Sequence, residues 1–527
     1  EDAILTVSFI GFTTQEIRVG TTSMFNIELV SSDLALNEVV VTAFGLERDK
    51  KALGYSTQSV DGNALKESRP SNVANSLSGR VAGVQVTGNS MPGSGAHVVI
   101  RGSSSVAGNN QPLVVVDGVP LEQTSSRTYG NGLSEISPDN IKEMTILKGA
   151  TAAALYGSRA ANGVIMVTTK NGSGTKGLGI ELNSNMTFDN PLIKPDFQNT
   201  YGGGSGYRTW YVDGRNGYDA DGIRGTAGVD ESWGAPMDGS LVPLWYSAPE
   251  KVALLPQPNN WEDFWQTGQS VSNSVALSGG NEQGSFRVSL GRLDQTSIMA
   301  DNDYYRNNFK LNTSYKFIPQ LQMSVNAEYV KSGSDNRGFT GSQDFIWAHR
   351  HTDYTKLKNW EDYYDVQKLT FRNGDLYPYA NWQHEYFSNP FFNQRYLPSS
   401  NEKDRLVGSI ALNYDINDNF SIMARSGTDY WSDNRVNIQT AESFKNNVKR
   451  FGSYTESVFS SQETNSDVIL TYDKDLTQRL SLKLQAGANN RVNHYKSNSV
   501  YVSQLTIDGL YNLGNYASPV TPSSTIK

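Results

Sequence analysis

Leu113-Val-Val-Val-Asp-Gly-Val-Pro-Leu121, Ile141-Lys-Glu-Met-Thr-Ile-Leu147 and Val164-Ile-Met-Val-Thr-Thr-Lys170 are the runs on which the fold turns. Leu113–Val116 is a β-branched run halted by the turn pair Asp117-Gly118, which predicts a buried strand closing in a tight turn. Met144–Leu147 predicts a second strand, after which Gly149 frees the backbone to enter a short Ala-rich helical segment. Val164–Thr169 predicts a third. Three short strands in one small unit bury too little apolar surface to stand alone, so this unit needs walls.

The walls are sought outward from Lys170, beyond the Gly/Ser/Thr-rich Asn171–Gly177. Ile180, Leu182, Met186 and Phe188 alternate with Glu181, Asn183, Asn185 and Thr187. Phe309, Leu311, Tyr315 and Phe317 alternate with Lys310, Asn312, Ser314 and Lys316. The same period of two runs through Phe286–Leu290, Leu321–Tyr329, Leu406–Ile416 and Leu480–Ala488. One face is apolar and the other polar, as when lipid lies outside and water or a filling domain inside. A soluble sandwich gives the same alternation, so connection lengths must decide. Short links are read at Gly279–Gly284, Ile318–Gln320, Asn417–Asn419 and Asp473–Gln478. Very long ones are read at Asn190–Gln269 and Lys331–Asp404, with shorter ones at Gln295–Asp303 and Ser432–Glu456. Short turns on one rim and long loops on the other are the arrangement of an outer-membrane barrel.

Composition agrees. Gly numbers 48 and aromatics make up 11% of the 527 residues, a mix suited to many strands, turns and interfacial girdles. A net charge of −8 and a pI near 5.3, with no basic stripe, argue against nucleic acid as a partner. Mean hydropathy is −0.48 and no run of about 18 apolar residues appears, which excludes a transmembrane helix but not a membrane. Cys is absent, so disulfides, thiolate metal sites and thiol nucleophiles are unavailable.

Residues 37–170 resemble the plug domain of TonB-dependent outer-membrane transporters, in particular the SusC-like branch. The resemblance rests on the order and spacing of Glu38-Val-Val-Val-Thr-Ala-Phe-Gly45, Leu77-Ser-Gly-Arg-Val-Ala-Gly-Val-Gln-Val86, Ile100-Arg-Gly102, Val115-Val-Asp-Gly118, Leu147-Lys-Gly149 and Leu155–Val164. Glu231–Gly239 and Trp261–Gly268 match SusC-like barrels further on. The implied fold class is mainly β: a transmembrane antiparallel barrel of about 22 strands in the complete protein, with a small α/β plug inside. About nine barrel strands are legible here, and a barrel cut there would expose unpaired edges to lipid. The remaining strands are therefore expected in further sequence or another chain, and the abrupt start at Glu1-Asp2 reads as truncated or processed.

The expected domains are residues 1–30, the end of a carboxypeptidase-regulatory-like β-sandwich; 31–45, linker and Ton box; 46–172, plug; and 173–527, the first part of the barrel. In the first, strands are read at Val7–Phe12 and Met24–Leu29 with a turn near Val19-Gly20; a stray hairpin is the alternative. The resemblance makes Glu38, Val39, Val40, Val41, Thr42 and Ala43 the Ton box, captured by TonB through strand addition; an ordinary plug strand is the alternative. It further implies import of an oligosaccharide or peptide across the outer membrane of a Bacteroidota-type bacterium. A SusD-like surface lipoprotein would serve as lid and TonB, with its inner-membrane motor, would pull. The rival readings are an adhesin or assembly platform and a siderophore-type receptor.

Arg101, Glu143 and Lys148 are charged plug positions that could hold the plug to the wall, or simply be solvated. Aromatics crowd 345–396, where Trp347, Trp360, Tyr363, Tyr364, Tyr379 and Trp382 stand among polar residues. Flat rings beside amides suit a sugar, a peptide or a partner surface, and the same rings could pack at the barrel mouth. Glu361-Asp362 and Asp365 supply carboxylates without the fixed separation that glycoside hydrolysis needs, so no enzyme is expected. His349-Arg-His351 is a weak metal hint, better read as exposed loop, and no metal site is expected. Asp219-Ala-Asp-Gly222 has part of a calcium-loop pattern, but Gly217 and Gly228 stand where ligands are needed, and calcium remains an outside candidate.

Overall fold

The structure, a computed structural model, describes residues 4–7, 15–19, 25, 27–29, 39–41, 47–49 and 57–527, apart from 69, 89–90, 107, 123–127, 150–155, 176, 206–230, 245, 248–250, 338–345, 364–388, 441–443, 446–447, 450–451, 478–479 and 508. Strands β1 (Ile4–Val7) and β2 (Gln15–Arg18) pair antiparallel, as do β3 (Val39–Val41) and β4 (Glu47–Asp49). The first pairing puts its connection between residues 7 and 15, not near Val19-Gly20, and Phe25 and Ile27–Leu29 are not strand.

The plug is built on β5 (Thr57–Asp61), β8 (Leu113–Val116), β9 (Val119–Pro120), β10 (Ile141–Leu147) and β11 (Val164–Thr169). Their order across the sheet is β5-β10-β11-β8-β9, with β8 and β11 parallel. A second ladder joins β6 (Val84–Thr87) to β7 (His97–Ile100). The unbroken apolar run of β8 has a physical reason, because both faces of the sheet are covered. Val114 and Val116 join Ile146, Ile165 and Val167 in one cluster, and Leu113 and Val115 join Leu147, Val164 and Met166 in another. The turn after β8 matches its sequence signal: Asp117 and Gly118 have φ of 47° and 83°, the pair of positive values of a type I′ hairpin turn. Gly149 has φ of 104°, the freedom expected there; the Ala-rich segment after it lies outside the described residues.

After β12 (Gly177–Asp189), the outer loop holds the short pair β13 (Leu241–Pro243) and β14 (Lys251–Ala253). The wall continues with β15 (Gly268–Gly280), β16 (Gly284–Thr296), β17 (Asp303–Ile318), β18 (Leu321–Ser334), β19 (Ser399–Asn417) and β20 (Phe420–Gln439). Past the small pair β21 (Phe444–Lys445) and β22 (Val448–Lys449) come β23 (Ser453–Thr477), β24 (Leu480–Val502) and β25 (Thr521–Ile526). The wall is one ten-stranded antiparallel sheet in order β12-β15-β16-β17-β18-β19-β20-β23-β24-β25. Its end strands β12 and β25 are not paired to each other among the described residues.

The alternation predicts its faces correctly. Phe286, Leu290, Phe309, Tyr315, Tyr329, Leu406, Ile410, Tyr430 and Leu470 are exposed on the outer face. Inward on β17 stand Arg306, Asn308, Lys310 and Asn312, all buried against the plug. Phe420 and Tyr430 bound the outward apolar band of β20; ten residues at about 3.4 Å and a tilt of about 40° span about 26 Å, the height of a lipid-facing belt. Four strands run several residues beyond the expected ends, so the long connections shrink to 335–398 and 440–452, and β23 runs on to Thr477, past most of the short link expected at Asp473–Gln478. No helix among the described residues is long and apolar enough to cross a membrane.

Candidate functional site

The site is the seam where plug meets wall. Strands β15 to β23 turn alternate side chains inward, and their contacts converge on one small domain, so the sheet must curve around it. Lys310 Nζ lies 3.2 Å from both Asp117 of the plug and Glu328 of the wall. Asp117 is itself pinned by the backbone N–H and hydroxyl of Thr169, at 2.8 and 2.7 Å. The plug's Glu135 receives Lys403 Nζ at 2.5 Å and Arg405 Nη1 at 2.7 Å. Arg405 also grips Asp429 through two nitrogens at 2.8 and 2.6 Å, and Asp429 accepts the Glu122 N–H at 2.9 Å. Burial would raise the Glu135 carboxyl, but Lys403 and Arg405 overcome it and hold it at about 2. Arg159 of the plug reaches Glu463 at 2.6 Å, which Arg491 completes at 2.9 Å.

Hydrogen bonds and a cation–π contact fill between the ion pairs. Asn308 and Arg306 donate to the carbonyls of Glu135 and Ser134 at 3.0 and 2.5 Å. Asn312 donates to Thr169 Oγ1 at 2.8 Å, Ser289 to Asn140 at 2.7 Å and Ser274 to Asp139 at 2.8 Å. Tyr129 lies under the Arg435 guanidinium at 3.6 Å. A polar seam of this kind can exchange protein contacts for water when the two bodies separate, which an apolar seam cannot do without large cost.

Three charged plug positions were expected at this seam, Arg101, Glu143 and Lys148. Arg101 is exposed with φ of 60°, Glu143 sits half-buried in β10, and Lys148 is buried and donates to Gln58 of the plug at 2.9 Å. Asp117, Glu135 and Arg159, which do meet the wall, carry no local sequence signal of it. The available signal is on the wall: Lys310, Lys403, Arg405 and Glu463 stand at inward positions of alternating strands and require partners of opposite charge. Of the segment expected to be the Ton box, Val39–Val41 form β3, while Glu38, Thr42 and Ala43 lie outside the described residues.

On the opposite rim the two longest loops fold on each other. Phe264, Tyr354, Leu357, Trp360, Phe391 and Phe392 form a buried cluster. Trp360 is therefore a core residue of these loops, with its ring 5.8 Å from Phe392, whereas Trp347 is exposed. Tyr363 ends a short 3-10 helix, and Tyr364, Tyr379, Trp382, Asp365 and Asp219–Gly222 lie outside the described residues. Arg350 ties the loops by donating to Gln198 O at 3.0 Å, and Asn260 donates to Thr352 O at 2.6 Å. His349 and His351 are buried here, contrary to the exposed reading, because the loops form a core of their own. His351 Nδ1 accepts the Gly203 N–H at 3.0 Å, and burial pushes its pKa down to about 4. No group of three acidic or His residues suited to a metal ion occurs among the described residues.

A curved antiparallel sheet with a lipid-facing outer surface, short turns on one rim, long loops on the other and a polar-seated plug inside defines a plugged β-barrel of an outer membrane. Residues 49–164 match the family described as TonB-dependent Receptor Plug Domain. The chain is 29% identical over 457 residues to the TonB-dependent receptor SusC of Bacteroides thetaiotaomicron, covering 84% of this chain and 42% of that protein. A TonB-dependent receptor of Formosa agariphila is 30% identical over 328 residues, 62% of this chain and 30% of its own length. In fold, the RagAB peptide transporter is similar with a TM-score of 0.63 at 18% identity, over 90% of this chain and 52% of that one. The plug of this chain is that of a TonB-dependent receptor, over most of its length the chain is similar to the SusC-like branch of that family, and its place is the bacterial outer membrane. It spans less than half the length of the curated relatives it matches.

Proposed function

We propose that the complete protein imports a large hydrophilic nutrient, an oligosaccharide or an oligopeptide, across the outer membrane. TonB, driven from the inner membrane, pulls the segment Glu38–Ala43, and a SusD-like surface lipoprotein closes over the long loops. The observation that carries the reading is the seam: a plug held by ion pairs and hydrogen bonds, with Val39–Val41 in an extended strand shortly before it. Such a strand pairs weakly in a two-stranded ladder and suits capture by a partner's sheet edge. The relative named as a peptide transporter supports peptides as one substrate class, and similarity to the SusC-like branch supports glycans as the other.

Deleting Glu38–Ala43 from the complete protein tests this. Loss of uptake of the organism's growth-supporting glycans or peptides, with surface binding retained, is the expected result. Uptake at the parent rate would overturn the reading.

A further inference from the structure

Directly paired residues of an antiparallel sheet share a face, so the inward positions of the wall can be followed row by row. The row through Arg306 passes Leu293 and Ser272 to Asn185 on one side, and Ser332, Lys403 and Asp433 to Phe459 on the other. Toward the short-turn rim, inward charges are spent on partners: Lys310, Arg405 and Glu463 in the seam, Glu181 on Lys170 and Arg287, and Arg425 on Asp467. Toward the long-loop rim the wall changes character. Among the inward positions of the described strands there, only Asp189 and Arg435 are charged, and Arg435 is closed by Asp433 at 2.6 Å. Two stretches of this upper wall face open space. On β12 to β16, Asn185, Thr187, Ser272 and Gln295 line a cavity of about 450 Å³ against the plug. Arg306 and Asp139 also border it, but Arg306 donates to Ser134 O and Asp139 accepts the Ser274 hydroxyl. On β20 to β24 stand Asn437, Thr455, Ser499 and Tyr501, the last with half of its surface open. Tyr501 shares a row with Thr455, Asn437 and Ser399, and Ser399 lies 3.2 Å from the hydroxyl of the plug's Tyr129, which puts the row on the plug-facing side.

We infer that the solute is a neutral oligosaccharide, held on this upper inner wall by uncharged amides and hydroxyls, with the Tyr501 ring as the platform for a sugar face. The inference rests on the import reading above and narrows it. A sugar hydroxyl exchanges water for Ser, Thr, Asn or Gln at little net cost, and each of these side chains can both donate and accept. A carboxylate or sulfate would leave water for a surface whose described cations, Arg435 and Arg306, are already engaged. A peptide fits less well. Its main chain is captured by addition to a strand edge, and the wall strands from β15 to β24 have both edges paired. Its charged ends and side chains meet the same lack of counter-charge. A half-open ring beside an amide and two hydroxyls serves the apolar face and the polar edge of a sugar together.

The test uses the source bacterium with the gene deleted and then restored as the complete protein or its variants. Growth is followed on three sets of sole carbon sources: digests of starch, mannan, levan and xyloglucan; digests of pectate, alginate and heparin; and a peptide digest of casein. Deletion is expected to slow growth several-fold on a neutral digest and to leave the acidic and peptide media unaffected. On that neutral digest Tyr501→Ala is expected to lower uptake several-fold, while Tyr501→Phe, which keeps the ring, restores the parent rate. Tyr501→Leu poses the same question should Tyr501→Ala fail to reach the outer membrane. Loss confined to acidic digests or to peptides overturns the inference and leaves import standing. Parent-rate uptake by ringless variants present in the membrane also overturns it. Loss on no medium overturns the inference and the import reading together.

Discussion

The carboxylate of Glu135, carried by the plug, receives the guanidinium of Arg405, carried by the wall, at 2.7 Å, and both side chains are almost wholly buried. Lys403 takes the other carboxylate oxygen. Glu135→Gln would leave Lys403 and Arg405 facing a neutral amide inside a dry seam, and Asp429 can compensate only Arg405. The expected loss is about 3–5 kcal/mol of plug–wall attachment. Lowered urea resistance of plug segments to protease checks it. The paired change Glu135→Gln with Lys403→Met should recover part of the loss, since it removes the orphaned charge along with its partner.

Gly118 answers to two demands at once. Its φ of 83° is unfavourable for a side chain, and a Cβ there would sit 2.0 Å from Arg425 Nη1. Gly118→Ala must therefore displace Arg425, whose Nη2 holds Asp467 at 2.7 Å. A destabilisation of about 1–2 kcal/mol from the backbone alone is expected, with disturbance of the buried pair added. Thermal unfolding of the purified complete protein measures it, and Gly118→Asn, tolerant of this conformation, should cost less backbone strain while still crowding Arg425.

The barrel is legible in the sequence because its chemistry repeats. Phe309 and Lys310, one outward and one inward, carry the same message as Leu290 and Ser289, and register follows from the period of two. The plug strands are legible because Val114–Val116 end at a turn pair of known geometry. The seam is not, since a contact such as Glu135 with Arg405 joins residues 270 positions apart and no local pattern encodes it. The plug charges that stand out in the sequence, Arg101 and Lys148, flank strands, whereas Glu135 closes a one-turn 3-10 helix capped by Asn131, an element too short to announce itself. Trp360 has the surroundings of a surface ring in the sequence, but nothing in either loop states that 190–267 and 335–398 fold together around it.

Asn260 tests whether those loops form one cooperative unit. Its Nδ2 donates to Thr352 O at 2.6 Å and its Oδ1 accepts the Tyr354 N–H at 3.3 Å, so one buried amide satisfies two backbone groups of the other loop. Asn260→Leu leaves both unpaired at about 1–3 kcal/mol each. Hydrogen exchange at Thr352–Leu357 should accelerate while that of β17 stays unchanged. Acceleration confined to Asn260 and its immediate neighbours would show that the loops are held separately.

His351 gives the same pair of loops a defined acid sensitivity. Burial lowers its folded pKa to about 4, against an ordinary value of 6.5, and the neutral ring accepts the Gly203 N–H. Between those two values the unfolded loops bind a proton that the folded loops refuse, so stability is full above about pH 6.5 and declines as pH falls toward 4. The integrated loss is about 3 kcal/mol, because each tenfold weakening of proton binding on folding is worth about 1.4 kcal/mol. Trp261, Trp265 and Trp360 lie in or against the adjoining cluster, so their fluorescence follows its melting. The transition should move to lower temperature at about pH 4.5 relative to pH 7. His351→Gln, which keeps an acceptor for Gly203 but cannot take a proton in this range, should remove most of that displacement. A His351→Gln protein with the parent's acid response would place the titrating group elsewhere.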